Sequence, residues 1–482
     1  MNKKINIFPN ICILLGILSG ILVIYHILVN NPDNDMWWMM STGRYILENK
    51  TFPKINPFII HKDFNIIIEQ PLLAILNYCI FSLFGVNGLR CLSGLFYIID
   101  GILIYIWLGN YTNDKITKYF SLIIYTWIIL LYINTRPTII SLGIMLAELI
   151  ILNKVQNNDK QKYLLFWLLL LSIIEINIHS ALWWMLFIIM LPYIMPNIFS
   201  KDVIPQFIKN IKLYCPIMIG MFLAGFINPY GINNILFLFK SMNNTKLFQN
   251  ILEMQNPTII HPLGTVIVAC IIIFVIYLYN NIKDETINIT TIYMTLGLLL
   301  LSIMYYRNFY VLIIAILPIF CSLSPKRAIN VSKIEGVFIN IIYIIVIGCI
   351  LSEFKNISFN IKTPEYINIL NQYNKDDIYL YNNFNEGGLL EWYGYKVYID
   401  ARPELFQKVI NGKEDISDEY YDISTNSLNK NAIEDFINKY QFNFLLTDSY
   451  NTLYTYLACN NDYEIIFTDN EAYTLFKLKT NN

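Results

Sequence analysis

Long apolar stretches recur through the first 352 residues and are separated by short polar loops. A membrane-spanning helix needs roughly 20 mainly apolar residues. The pattern predicts about eleven spans, near 8–30, 88–109, 118–133, 137–153, 163–178, 180–199, 213–228, 263–281, 287–305, 308–324 and 335–352. With 56% hydrophobic and only 14% charged residues, the chain is too apolar for a soluble globular protein. We therefore expect a mainly α, polytopic membrane helix bundle.

The pattern changes at two places. Residues 31–87 form a long, mostly polar loop after the first span, and within it the apolar run 71–84 is predicted to be an amphipathic helix lying on the membrane surface. From residue 353 onward, short strand-like runs alternate with helical ones. The predicted strands are 377–381, 396–400, 442–447, 464–468 and 472–477, and the predicted helices are 364–373, 431–440 and 452–459. We predict a transmembrane domain over 1–352 and a soluble α/β domain over 353–482.

Charge asymmetry predicts the orientation. Lysines cluster in alternate short loops, which the positive-inside rule assigns to the cytoplasm. The N-terminus is then cytoplasmic, and its apolar segment shows no small-residue cleavage site, so it is predicted to be an uncleaved anchor. An odd number of spans places the tail outside. That tail has 20 Asp and Glu against 11 Lys and Arg. We expect a multi-pass protein of the cell membrane with an extracytoplasmic C-terminal domain.

Several functional classes lack their sequence signatures. The eight cysteines are scattered and form no CxxC or Cys/His cluster, so neither a zinc site nor a disulfide framework is indicated. The chain contains no phosphate-binding loop, no dinucleotide-binding glycine motif and no basic patch for nucleic acid. The chemistry must come from individual polar residues in or beside the membrane.

An acidic and aromatic stretch follows the first span. It reads Asp33-Asn-Asp35-Met-Trp-Trp-Met-Met-Ser-Thr-Gly-Arg44. Tryptophan favours the headgroup level of a bilayer, so Asp35 is expected at the membrane surface, where a base could meet a substrate carried by a lipid. A solvated loop acid beside an aromatic belt is the alternative. Asp33 and Asp35 could also chelate a divalent ion, although two carboxylates do not by themselves establish a metal site.

Arginines are the second candidate group. Five of the six lie on the outer side in this topology, at positions 44, 90, 136, 307 and 402. Arg136 and Arg307 occupy tight outer turns between spans, where a planar guanidinium could hold a lipid phosphate. Snorkelling toward lipid headgroups is the alternative for each. Together with Asp35 and His179, we predict that they line one outer cavity.

Other polar residues are candidates of lower specificity. Glu175 and His179 are four residues apart on one predicted helix face and could form an acid/base pair, a metal-binding edge or a structural hydrogen bond. Glu69 precedes the predicted surface helix, where a carboxylate also suits the helix dipole. His261 lies in the outer loop 229–262 and is a possible rim residue of the site.

These features in order resemble the glycosyltransferase C superfamily, which includes protein O-mannosyltransferases and aminoarabinose transferases. The resemblance rests on the stretch from Asp35, on Glu69-Gln-Pro, Arg136-Pro, Asn177-Ile-His-Ser, Asn228-Pro-Tyr-Gly, Arg307-Asn, Asn385-Glu-Gly-Gly and Asp400-Ala-Arg-Pro. It covers most of the chain, although no single piece is specific.

The resemblance implies transfer of a sugar from a polyprenyl-phosphate donor to a glycan, lipid or protein acceptor on the outer face. It implies that an acid of the first outer loop is the base, which corresponds to Asp35, with Glu69 and His179 as further catalytic candidates. Arg44, Arg136, Glu175, His261, Arg307 and Arg402 are the corresponding candidates for substrate binding, with Asp400 and Arg402 on the acceptor side. No cofactor is certain, and a divalent metal is possible.

Three other functions compete with this interpretation. An O-antigen polymerase or ligase also has outer arginines, but usually carries its catalytic groups in a late loop. A transporter or flippase would predict inverted repeats and broken helices, and we find neither. The sequence also leaves open the interpretation as a non-catalytic protein that binds lipid-linked sugar.

Overall fold

A computed structural model describes most of the chain. The described residues are 5–6, 16, 18–23, 25–26, 33–132, 135–198, 200–242, 255–256, 262–284, 288–323, 330–331, 363–425, 430–469 and 473–479. The predicted span 335–352 and most of the predicted span 8–30 lie outside them.

Helices dominate the part of the chain before residue 363. In chain order they are α1 Asp35–Asn49, α2 Pro71–Trp107, α3 Lys115–Ile129, α4 Thr138–Asn157, α5 Trp167–Ile178, α6 Ser180–Ile194, α7 Val203–Ala224, α8 Ile232–Ser241, α9 Pro262–Asp284, α10 Ile289–Met304 and α11 Leu312–Leu323. Two short strands, β1 Ile5–Asn6 and β2 Asn330–Val331, pair antiparallel. The prediction of a mainly helical protein with several apolar helices is confirmed.

Five of the described helical segments are long and apolar enough to cross a membrane. They are Pro71–Asn110, Thr138–Asn157, Asp159–Ile178, Val203–Ala224 and Gly264–Asn281. Three shorter apolar helices are Ser180–Ile194, Ile289–Met304 and Arg307–Leu323. Each of these segments overlaps a predicted span, while the total of eleven and the orientation stay predictions.

The tail is a small α/β structure, as its alternating pattern predicts. Its helices are α12 Glu365–Leu370, α13 Gly387–Trp392, α14 Lys408–Asn411, α15 Ile416–Thr425, α16 Lys430–Tyr440 and α17 Thr452–Cys459. Its strands are β3 Leu380–Tyr381, β4 Phe444–Thr447, β5 Tyr463–Thr468 and β6 Thr474–Leu478. They form one sheet in the order β3-β4-β6-β5, in which only the β3–β4 pair is parallel. The residues of β4 are all buried, so this strand forms the centre of the tail's core.

The chain divides into two compact units that are not contiguous in sequence. The first unit contains residues 1–31, 87–228 and 251–359, and the second contains 32–86, 229–250 and 360–482. The loop after the first span and the tail thus belong to one unit, which we call the loop–tail unit. We call the other the helical unit.

Helix α2 belongs to both units and changes direction at their boundary. Gly85 has φ 61° and ψ −157°, which interrupts the helical conformation. A residue with a side chain rarely adopts that conformation, so glycine permits the break. The surface helix 71–84 and the span 88–109 were predicted as separate elements, and Gly85 is where they separate. That the first part lies on the membrane surface stays a prediction.

The predicted strand at 396–400 is wrong. Only Val397 makes a bridge, with Ile59 of the first loop, and it is not part of the sheet. The N–H of Ile60 donates to the carbonyl of Val397 over 3.0 Å, and the N–H of Val397 donates to that of Phe58 over 3.0 Å. The segment is apolar because it is buried. Its backbone groups form hydrogen bonds with the first loop, whereas the prediction paired them with a strand of the sheet.

Candidate functional site

Asp35 is the first residue of α1 and lies in the loop–tail unit. Its backbone N–H donates to Oδ1 of Asp33 over 3.1 Å. A carboxylate in the first turn of a helix is favoured by the helix dipole and by the unsatisfied N–H groups there. Asp35 is half-buried, so solvent can reach it.

Trp38 connects Asp35 to the tail. Its indole Nε1–H donates to Oδ1 of Asp35 over 3.1 Å, from one helical turn further along α1. The guanidinium carbon of Arg402 lies 4.5 Å from the centre of the Trp38 ring. A cation over an indole face is attracted by the electron density of the ring. Asp35 and Arg402, which are distant in sequence, therefore contact the same indole.

Arg402 also forms a buried ion-pair cluster with two carboxylates. Its Nη2 lies 2.6 Å from Oδ2 of Asp400 and 3.2 Å from Oε1 of Glu391, and its Nε lies 3.0 Å from Oδ1 of Asp400. Burial and the negative charge of Asp400 raise the pKa of Glu391 well above its usual range, against the opposing effect of Arg402. Burial alone would lower the pKa of Arg402, but Asp400 and Glu391 raise it.

Arg44 contacts a different tryptophan of the tail. Its Nη2 donates to the carbonyl of Trp392 over 2.9 Å, and its guanidinium carbon lies 4.4 Å from the centre of that ring. Tyr78 and Phe81 pack against the edges of the same indole. Arg44 thus lies in the loop–tail unit with Asp35 and Arg402. Its guanidinium, however, stacks on Trp392, whereas that of Arg402 stacks on Trp38.

His179 is the centre of a second cluster, in the helical unit. It separates α5 from α6, as its position between two predicted spans indicated, and its carbonyl accepts hydrogen bonds from the N–H groups of Leu182 and Trp183. The ring is 2% exposed. Its Nδ1 lies 3.3 Å from the hydroxyl of Ser141 in α4. Its Nε2 has no hydrogen-bond partner among the described residues.

Arg136 and Arg307 both act electrostatically on the His179 ring. Arg136 lies two residues before α4, and Arg307 lies in the 3₁₀ turn Tyr306–Val311 between α10 and α11. Both are half-buried. Because α4 and α6 also begin here, two helix N-termini add partial positive charge to that of the two guanidinium groups. This arrangement favours an anion.

The remaining candidates have different positions. Glu175 is fully buried one turn before His179, and Ser141 interacts with it as well as with the histidine. Glu69 is half-buried in the first loop. His261 lies outside the described residues. Arg136 and Arg307 thus lie within electrostatic range of His179, while the grouping of these three with Asp35 stays a prediction.

Three residues of these clusters are not among the predicted site residues. Ser141 carries no signal in the sequence, because a serine in an apolar helix is common. The sequence predicts Trp38 as a membrane anchor, and Glu391 has no visible partner in sequence. The signal available for Glu391 is its closeness to Asp400-Ala-Arg402.

No group of three or more metal-ligating side chains occurs in the described part of the chain. Asp33 and Asp35 offer two carboxylates, each with one oxygen already accepting a hydrogen bond. Such a pair would need oxygens from water or from a donor phosphate to complete the coordination of a divalent ion. The possible metal therefore stays a prediction, and no chemical step below depends on it.

Comparison with known proteins gives similarity at the level of structure alone. No protein-family model matches the chain, and no curated protein matches it. A crystal structure of the Archaeoglobus fulgidus oligosaccharyltransferase, tethered by a disulfide to an acceptor peptide with an Asn-Val-Thr sequon, matches with a TM-score of 0.56 and 11% identity. The match covers 91% of this chain and 69% of that one. The apo form of the same enzyme matches with a TM-score of 0.54 and 12% identity, over 90% of this chain and 69% of that one. The chain therefore shares the fold of this archaeal oligosaccharyltransferase.

Proposed function

We propose that this chain is a membrane glycosyltransferase that transfers a sugar or glycan from a polyprenyl-phosphate-linked donor to an acceptor on the extracytoplasmic face. The observation that carries the proposal is the convergence of Arg136 and Arg307 on His179. Two guanidinium groups are suited to a phosphate that enters with a lipid, and so is the buried imidazole Nε2 at two helix N-termini, which has no hydrogen-bond partner in the described part of the chain. The shared fold supports the same class.

Asp35 is the proposed base. It would take the proton of the acceptor's nucleophilic group as that group attacks the anomeric carbon of the donor. The bond from that carbon to the phosphate oxygen breaks, and direct displacement from the opposite face inverts the anomeric configuration. The phosphate leaves with the electron pair, and Arg136, Arg307 and His179 would stabilise its growing negative charge. The proton ends on Asp35 and passes to solvent, because Asp35 is half-buried.

The acceptor is open to experiment. The peptide acceptor of the structurally similar enzyme makes peptides a first class to test, followed by glycans and lipids. Water as acceptor would give donor hydrolysis, which can be measured before the true acceptor is known. Purified protein would be given polyprenyl-phosphate and pyrophosphate donors that carry different hexoses and N-acetylhexosamines.

Asp35→Asn is the decisive variant. It keeps the shape of the side chain and removes its basicity, and the loss of general-base help should lower turnover by about 10²–10⁴-fold. Binding of the donor should change little, because the proposed phosphate partners remain. Asp63→Asn is a matched control, since Asp63 is an exposed acid of the same loop with φ 58°, a conformation that asparagine tolerates. If Asp35→Asn keeps full turnover with an active donor, the base is elsewhere, and Glu69 or Glu175 is tested next.

Orientation is a separate test of the same proposal. Single cysteines introduced at exposed tail positions such as Lys430 should react with a membrane-impermeant maleimide in intact cells. A cysteine near Lys154, in a predicted cytoplasmic loop, should react only after permeabilisation. The reverse pattern would place the tail inside and rule out chemistry on the outer face.

A further inference from the structure

We propose that Arg402 is a positioning residue that orients the carboxylate of Asp35 through the indole of Trp38. The inference rests on the proposed function in one respect, namely that Asp35 is the base. The C-terminal tail would then have a defined part in catalysis, as the support of a residue in the first loop.

The first step is the hydrogen bond between Trp38 and Asp35. The two residues are three apart in α1 and so lie on one helix face. Trp38 is 5% exposed, which leaves its ring little freedom. Its Nε1–H, 3.1 Å from Oδ1 of Asp35, fixes one carboxylate oxygen and thereby selects the rotamer of the whole group.

The second step is the contact between Arg402 and the indole. The guanidinium lies over the ring at 4.5 Å, and a cation there draws electron density from the ring toward itself. The indole N–H becomes a stronger donor to Asp35 as a result. A lysine could supply the charge, but it lacks the planar group that stacks on the ring.

The third step is that two carboxylates hold the side chain of Arg402 in place. Three of its contacts to Asp400 and Glu391 fix the plane of the guanidinium, and its side chain is 7% exposed. Asp400 is in turn packed against Gly387, where an added Cβ would lie only 2.6 Å from the Cα of Asp400. The carboxylates and the close packing at Gly387 therefore hold the cluster against Trp38.

Glycine also brings the tail close to α1. A Cβ at Gly388 would lie 3.1 Å from the backbone N of Trp38 and 3.4 Å from the carbonyl oxygen of Asn34. The start of α13 thus contacts the helix turn that carries Asp35. The segments Glu386-Gly-Gly and Asp400-Ala-Arg402 are separate in sequence, but both contact the turn of α1 that carries Asp35 and Trp38.

A purely structural ion pair is the alternative, and a spectroscopic measurement separates the two. The full-length protein in detergent would be labelled with ¹⁵N-tryptophan, which gives eight indole N–H signals from its eight tryptophans. Trp38→Phe assigns the Trp38 signal by its loss. Asp35→Asn should move that signal upfield, because a neutral amide is a weaker acceptor than a carboxylate.

Arg402→Lys should move the same signal upfield, and should leave the signals of the other tryptophans in place. Arg44→Lys is the matched control, because Arg44 stacks on Trp392 at 4.4 Å and should move the Trp392 signal instead. If Arg402→Lys leaves the Trp38 signal unmoved, the proposal is wrong. If Arg402→Lys does not fold, Glu391→Gln is the milder change, because it weakens one ion pair of Arg402. The Trp38 signal should then move upfield in Glu391→Gln as well.

Kinetics supply the second readout with any donor that shows transfer or hydrolysis. Trp38→Phe keeps a ring for Arg402 to stack on but removes the N–H, and should lower kcat by about 10–100-fold while KM for the donor changes less than about twofold. Trp37→Phe, the same substitution one residue earlier, should leave kcat near that of the wild type. Equal losses in both variants would overturn the positioning role. Because the indole signals require no substrate, inactivity toward all donors would count against the proposed function and not against this coupling.

Discussion

Arg402 and Arg307 belong to one chain but lie in opposite electrostatic surroundings. Arg402 faces two buried carboxylates, so its charge is compensated within the protein. Arg307 is half-buried within electrostatic range of His179, on which Arg136 also acts, and no described carboxylate forms an ion pair with Arg307. A guanidinium that is already compensated contributes to structure, whereas one next to other positive charge gains most from an anion. Substrate binding is predicted for both Arg402 and Arg307, and it is therefore tested separately for each arginine.

Two histidines extend the comparison between the units. His61, in the loop–tail unit, stacks on Phe64 with ring centres 4.9 Å apart, and its Nε2 lies 2.7 Å from the carbonyl oxygen of Tyr398. His179, in the helical unit, has two arginines within electrostatic range, and its Nε2 has no hydrogen-bond partner among the described residues. The ring nitrogen Nε2 of His61 is thus engaged within the protein, whereas Nε2 of His179 is available to a ligand.

The largest expected effect is the loss of stability in Arg402→Ala. Removing one member of a buried ion pair leaves Asp400 uncompensated and typically costs about 3–5 kcal/mol. In a unit of this size we expect Tm to fall by roughly 6–20 °C. Thermal unfolding in detergent, followed by tryptophan fluorescence, measures this. The double variant Asp400→Asn/Arg402→Met removes both charges and should recover part of the loss. An unchanged Tm for Arg402→Ala would show that the cluster carries little stability.

The next effect is acid sensitivity from His61. Burial lowers the pKa of His61 to about 4, against the opposing effect of its bond to Tyr398. Between pH 6.5 and about 4 the unfolded chain binds a proton at this residue that the folded chain excludes. Its contribution to stability is therefore complete above pH 6.5, falls as the pH drops toward 4, and amounts to about 3 kcal/mol.

His61→Phe should remove this component of the pH dependence. The quantity to compare is the change in Tm between pH 7 and pH 4.5 in the wild type and in the variant, because other titrating groups are common to both. A Tm change that is as large in His61→Phe as in the wild type would contradict the assignment.

The smallest expected effect is on binding, from Arg307→Ala. Loss of one charge-assisted contact to a phosphate should weaken binding of a fluorescent polyprenyl phosphate by about 10–100-fold, which corresponds to the 1.5–3 kcal/mol typical of such bonds. Tm should stay near the wild-type value, in contrast to Arg402→Ala. Arg307→Lys, which keeps the charge without the planar fork, should give an intermediate affinity. A large fall in Tm with unchanged affinity would reverse the comparison between the two arginines.

Much of the helical unit was predictable because its signals are local. A run of apolar residues specifies a span by its own length, and Arg136-Pro137 and His179 mark breaks between helices where they stand. The candidate cluster around His179 followed from the cost of placing ionisable residues at the ends of spans. Its partner Ser141 did not follow, because its part depends on how α4 packs beside α5.

The loop–tail unit was less predictable because its contacts join distant segments. The positions of β4, β5 and β6 were close to their predictions, since each strand carries its own pattern of apolar residues. The segment around Val397 was misassigned as a strand, because an apolar run shows burial but does not show which backbone will pair with it.

By itself, the sequence determined the mainly helical architecture with its apolar helices and the α/β character of the tail. These properties depend on residues a few positions apart, whose periodicity and propensity act over one element. Only the tertiary structure decided that Trp38 lies between Asp35 and Arg402, that Glu391 and Asp400 compensate Arg402, and that two glycines admit the tail to the first turn of α1. The contacts between the first loop and the tail join segments more than 340 residues apart, and packing of that kind leaves no periodic pattern in the chain.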